Sequence, residues 1–61
     1  MTEKIYFTNS RASFFRKLAE TVREVKQAYI IKKIEFDATT KQFKIVVDAS
    51  DSFHNVLSSK L

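Results

Sequence analysis

The apolar period changes at residue 30 from helical to alternating, and that change constrains the fold more than any other feature. Phe15, Leu18, Val22, Val25 and Tyr29 are spaced 3, 4, 3, 4, with Phe14 and Ala19 beside them. Such spacing predicts one apolar stripe of an amphipathic helix over 10–28. From Ile30 onward the period is two. Ile34 and Phe36 share a face with Lys33 and Glu35 opposite. After Asp37-Ala-Thr-Thr-Lys41 the alternation resumes, with Phe43, Ile45 and Val47 against Lys44 and Val46. Both runs are rich in β-branched and aromatic residues, so strands over 30–37 and 42–48 read as a hairpin.

The hairpin register follows from side-chain matching. Keeping Phe36 and Phe43 as partners on one face makes opposed positions sum to 79. Ile34 then faces Ile45, and on the other face Glu35 meets Lys44, an opposite-charge pair. A slip of one residue destroys both matches. A two-residue loop would demand positive φ at Thr39 and Thr40, which β-branched residues resist. The four-residue loop 38–41, with Asp37 leading a type I turn, avoids that demand.

The remaining elements flank this unit. Residues 4–7 read as a strand with Ile5 and Phe7 towards the core and Tyr6 on the other face. Thr8, Asn9 and Ser10 are all good helix caps; Arg11 follows at a helix N-terminus, where a cation is locally unfavourable and a further contact is expected. The tail predicts a short helix over 51–60, capped by Ser50, with Asp51 and Lys60 placed to suit its dipole and Phe53, Val56, Leu57 and Leu61 as its apolar side. The order is βαββα. The expectation is an α+β domain of residues 1–61 with a three-stranded sheet of order 2-3-1 and both helices packed on one face. Its expected core is Phe15, Leu18, Val22, Ile34, Phe36, Phe43 and Ile45. The second strand lies at an edge, where an inward-pointing Lys32 would discourage aggregation.

Composition narrows the chemistry. There is no Gly, Pro or Cys and one histidine, His54, in 61 residues. Disulfides, thiolate metal sites, cysteine nucleophiles and Gly-rich phosphate loops are all excluded. Ser50, Asp51, Ser52 and His54 lie close in sequence, but a catalytic triad is assembled in space on a rigid scaffold. They read as helix-capping residues plus one exposed or half-buried histidine. Glu20 and Glu24 share a helix face with Arg16, Lys17 and Arg23 around them, which predicts ion pairing on the helix surface. The expectations are therefore no enzymatic activity, no cofactor, no metal and no small-molecule substrate. No stretch is apolar enough for a membrane span, and no signal segment opens the chain, so the expected location is cytoplasmic and no membrane partner is expected.

Charge is distributed unevenly. Residues 11–33 hold seven basic and two acidic side chains (+5), residues 34–61 three and four (−1), and the first ten cancel, giving the net +4. Two candidate surfaces follow. The open sheet face is expected to show Tyr6, Ile31 and Val46 rimmed by Lys33, Glu35 and Lys44, an apolar centre with a polar border suited to a protein partner or to self-association. The basic set Arg11, Arg16, Lys17, Arg23, Lys26, Lys32 and Lys33 suits the phosphates of a nucleic acid. The leading expectation is a small binding module, a stoichiometric regulator, inhibitor or accessory subunit acting on a protein partner; the alternative is a nucleic-acid-binding domain.

Overall fold

The computed structural model describes all residues from Met1 to Leu61. Its elements are β1 (Thr2–Thr8), α1 (Arg11–Val25), β2 (Ile30–Asp37), β3 (Gln42–Ala49) and α2 (Asp51–Lys60). They build an α+β fold: an antiparallel three-stranded sheet of order β1-β3-β2 with two helices. Placing β3 between β1 and β2 leaves those two strands parallel to each other and both at an edge.

Local chemistry sets the element ends. Ser10 adopts extended backbone and its Oγ accepts from the Ser13 N–H, which caps α1. The helix stops sooner than the apolar spacing predicts. Lys26 turns to the left-handed region (φ 55) and donates its N–H to the Val22 carbonyl, so residues 27–29 leave the helix. Conversely, β1 extends at both ends beyond 4–7, because β3 pairs with it from Thr2↔Ala49 to Thr8↔Phe43. The added residues Thr2, Glu3 and Thr8 offer no apolar alternation to mark them, although threonine suits a strand. Ser50 Oγ accepts from the Phe53 N–H and caps α2.

The hairpin has the expected register: Phe36↔Phe43, Ile34↔Ile45 and Glu35↔Lys44. Asp37 Oδ1 accepts from the Thr39 and Thr40 N–H groups at 2.9 and 3.4 Å, and Lys41 takes the left-handed position that closes the loop (φ 57).

The core differs from the one the sequence predicts. Its centre is Tyr6, Phe14, Leu18, Ile45, Val47, Ala49, Phe53 and Leu57, with Thr21 and His54 also buried. Leu18 and Ile45 were expected there. Phe15, Val22 and Phe43 pack only around its margin, and Ile34 and Phe36 are 41% and 56% exposed. The cause is the placement of α2. His54 and Asp51 on α2 both bond to β1 residues, and Lys60 bonds to Glu20 and Glu24 on one flank of α1. The helices therefore lie side by side over β1 and β3, and β2 projects past them.

Two further reversals concern which side of the sheet a residue occupies. Tyr6 pairs with Ile45 and faces the helices, so Ile5 and Phe7 point to the open face. Burial of Tyr6 is tolerated because its hydroxyl is bonded to His54, 2.8 Å away. Ile31 also faces the helices. A β-bulge shifts the register between Ile31 and Lys33, so Ile31 pairs with Val47 while Lys33 pairs with Val46. The expected inward-pointing Lys32 is the extra residue of that bulge, and it is exposed.

Candidate binding site on the open sheet face

Three rows of side chains cross the face that the helices leave bare. Pairing places Glu3, Asp48 and Ile30 in one row, Ile5, Val46 and Lys33 in the next, and Phe7, Lys44 and Glu35 in the third. Ile5, Phe7 and Ile30 are more than half exposed, and Val46 lies half-buried among them on the central strand. Lys33 and Lys44 both reach Glu35, at 3.5 and 4.0 Å, so a small ion network exposed to solvent joins the second and third rows. At the hairpin end a shallow depression of about 310 Å³ is lined by Phe7, Glu35, Phe36, Asp37, Ala38 and Lys44. Phe36, which belongs to the helix side, bounds it at the β2 edge, and a second depression of about 430 Å³ at the opposite end is lined by Met1, Gln27, Ala28, Ile30 and Ser50.

Asp48 is the costly residue of the arrangement. It stands directly opposite Glu3, a like-charge pair, and its Oδ1 is enclosed without a hydrogen-bond donor. Both features weaken a sheet, and an acceptor left unsatisfied costs about 1–3 kcal/mol.

Of the six residues that the sequence assigned to this face, Lys33, Glu35, Lys44 and Val46 lie on it. Tyr6 and Ile31 lie on the other side. Ile5, Phe7, Ile30 and Asp48 take the vacated area and were missed. Alternation showed that Tyr6 opposes Ile5 and Phe7, but hydrophobicity alone gave the wrong choice between the two sides. The missing signal was His54, which is fully buried where an exposed or half-buried ring was expected. The Thr2 carbonyl can only accept, so His54 Nε2 carries a proton and donates to it at 2.6 Å. In the neutral ring Nδ1 is then the acceptor, and the Tyr6 hydroxyl donates to it. A tail histidine that must be buried requires such a hydroxyl on the helix side of the sheet.

The basic set is split. Lys33 belongs to the open face and Lys32 to the bulge at the edge of β2. Arg11 lies with its guanidinium 5.0 Å from the centroid of the Phe43 ring. That cation–π contact offsets the unfavourable position at the start of α1. Glu20 and Glu24 bond to Lys60 of α2, at 3.8 and 2.7 Å, not to Arg16, Lys17 or Arg23 as expected. The Glu24 hydrogen bond, with Glu20 adding to it, raises the Lys60 ammonium above its ordinary 10.5. Arg16, Lys17, Arg23 and Lys26 are left on α1 with no acidic partner.

These features define a small α+β domain in which two helices cover one side of an antiparallel sheet and leave the other side bare, with Ile5, Phe7, Ile30 and Val46 set among charged side chains. No family model, curated protein or solved structure matches this chain, so its functional reading rests on its own residues. No helix is long and apolar enough to cross a membrane.

Proposed function

We propose that this chain is a non-enzymatic binding module, a stoichiometric regulator, inhibitor or accessory subunit that docks on a protein partner through its open sheet face. The observation that carries this reading is the exposure of Ile5 and Phe7, 54% and 56%, beside Val46. A small domain has little stability to spare, and here apolar side chains stand in water beside an acid that weakens the sheet. Such departures from local stability cluster at functional surfaces. The apolar centre and the Lys33, Lys44 and Glu35 border match the anatomy of an interface.

The test is Val46→Glu, which places a charge at the centre of the face and leaves the helix side untouched. Capture of partners from the native host, with and without nuclease, should lose its nuclease-resistant protein bands with this variant while the circular dichroism spectrum stays unchanged. Sedimentation over a range of concentrations separates a second copy of the chain from a different protein. Unchanged capture by Val46→Glu would sink the open-face reading.

A second reading, nucleic-acid binding through α1, is favoured by one observation. With Glu20 and Glu24 engaged by Lys60, the cations Arg16, Lys17, Arg23 and Lys26 carry no opposing charge. Binding of this kind should weaken by orders of magnitude between about 50 and about 200 mM salt. No binding of DNA or RNA at the lower salt removes it.

A further inference from the structure

We infer that the free edge of β2 accepts an acidic, extended segment of a protein partner as a fourth strand, with its side-chain contacts on the helix side of the sheet rather than on the open face. The position of Ile34 and Phe36 carries the inference. Both face the helix side of the sheet, yet they remain 41% and 56% exposed because the helices stop short of β2. Phe36 lies against Phe43, ring centroids 5.0 Å apart, so an aromatic row runs from the core margin to the edge. On α1 the flank turned away from α2 carries Phe15, Ala19 and Val22, spaced as one helical face, and Lys26 follows at the C-cap. Phe15 and Val22 are half-buried there. The result is an apolar strip bounded by α1 on one side and by the unpaired backbone of β2 on the other.

An edge strand presents N–H and C=O groups that a peptide satisfies by adding to the sheet, with pockets for its alternate side chains. Past the bulge, residues 33–37 of β2 pair regularly with β3 and leave their outer groups free. Charge selects the occupant. Arg11 over Phe43, Lys26 at the end of α1, Lys32 in the bulge and Lys41 in the loop surround the strip, and none of them takes part in an ion pair. Both acids of β2 are engaged, Glu35 on the opposite side of the strand by Lys33 and Lys44, and Asp37 by the loop amides. A second copy of this chain, itself +4, would bring the same basic surround to the strip and be repelled. An acidic strand meets the opposite charge at the same position. The bulge and its lysine thus select against self-pairing while admitting an acidic segment.

The probe is a peptide of about ten residues alternating Glu and Val, titrated into the isotope-labelled chain and followed by amide chemical shifts. Controls are the same peptide with Lys for Glu, and an oligothymidylate. The acidic peptide should shift amides of β2 past the bulge and of the second half of α1, and bind several-fold more weakly at about 200 than at about 50 mM salt. Phe36→Ser and Lys32→Glu should each weaken it about tenfold, a difference of about 1.4 kcal/mol. Val46→Glu should leave it unchanged, which keeps this surface distinguishable from the open face. Phe36 is exposed, so the circular dichroism spectrum of Phe36→Ser should match that of the parent chain. The inference is overturned if no amide moves at the lower salt, if the shifts fall on the open face, or if the lysine peptide binds equally well. It is overturned equally if oligothymidylate occupies the strip and the acidic peptide does not.

Discussion

At the scale of single residues, the absence of glycine has a direct cost. Two positions need left-handed backbone, the end of α1 and the close of the hairpin loop, and lysines occupy both, with φ 55 and 57. The Cβ of an L-residue is crowded there and that of glycine is missing. Lys41→Gly should therefore raise stability by about 0.5–1 kcal/mol, the relief of the left-handed strain less the larger entropy glycine loses on folding. A urea midpoint that falls instead would show that the lysine side chain contributes to the loop. Tyr6 and His54 make the opposite case, a buried polar pair in which each group answers the other. Tyr6→Phe keeps the ring and removes the donor to His54 Nδ1, leaving a buried acceptor empty at a cost of about 1–3 kcal/mol. If the midpoint does not move, Nδ1 has another donor.

At the scale of elements, covering decides which apolar residues count towards stability. Phe53 of α2 and Phe36 of β2 are the same residue type, but Phe53 is wholly enclosed and Phe36 projects beyond the helices. Phe53→Ala should cost about 3–5 kcal/mol, enough to unfold a chain of this size, whereas Phe36→Ala should cost about 1 kcal/mol or less. Comparable losses at the two sites would contradict the placement of α2. The clamp between the helices adds a dependence on pH. Glu24 raises Lys60 above its ordinary 10.5, so the folded chain holds that proton more tightly than the unfolded one. The stability this contributes is fully present below pH 10.5 and is lost as pH rises through the higher folded value. The stability difference between the parent chain and Lys60→Met should stay constant through neutral pH and shrink in alkali. A difference that is flat throughout would show that the pair adds no stability.

At the scale of the whole molecule, one small core serves two sheet edges and a bare sheet face. A domain of this length should unfold with an enthalpy of about 40 kcal/mol near 60 °C, in one cooperative step. A van't Hoff enthalpy well above the calorimetric value would show that the cooperative unit is larger than one chain. That result would bear directly on the apolar surfaces described above. Because the enthalpy is small, a change of about 1 kcal/mol shifts the melting temperature by several degrees. A partner that covers either surface would therefore give a readily measured rise in melting temperature.

The sequence by itself determined the local structure. The spacing of Phe15, Leu18, Val22 and Val25 set a helix, the alternation after residue 30 set a hairpin, and the Phe36–Phe43 and Glu35–Lys44 matches set its register. These signals are periodic and local, so they survive without knowledge of the rest of the chain. The order β1-β3-β2 was legible for a related reason, since a helix joins two strands that a third can separate. Only the tertiary structure decided which side of each edge strand faces the core. At β1 that choice depended on His54, 48 residues away from Tyr6, which needed a hydroxyl partner in the interior. At β2 it depended on a bulge at Lys32 that no periodicity announces, and on helices that end short of the strand. Alternation specifies two faces and leaves open which is covered, because covering is a property of distant elements and of the polar groups they bury.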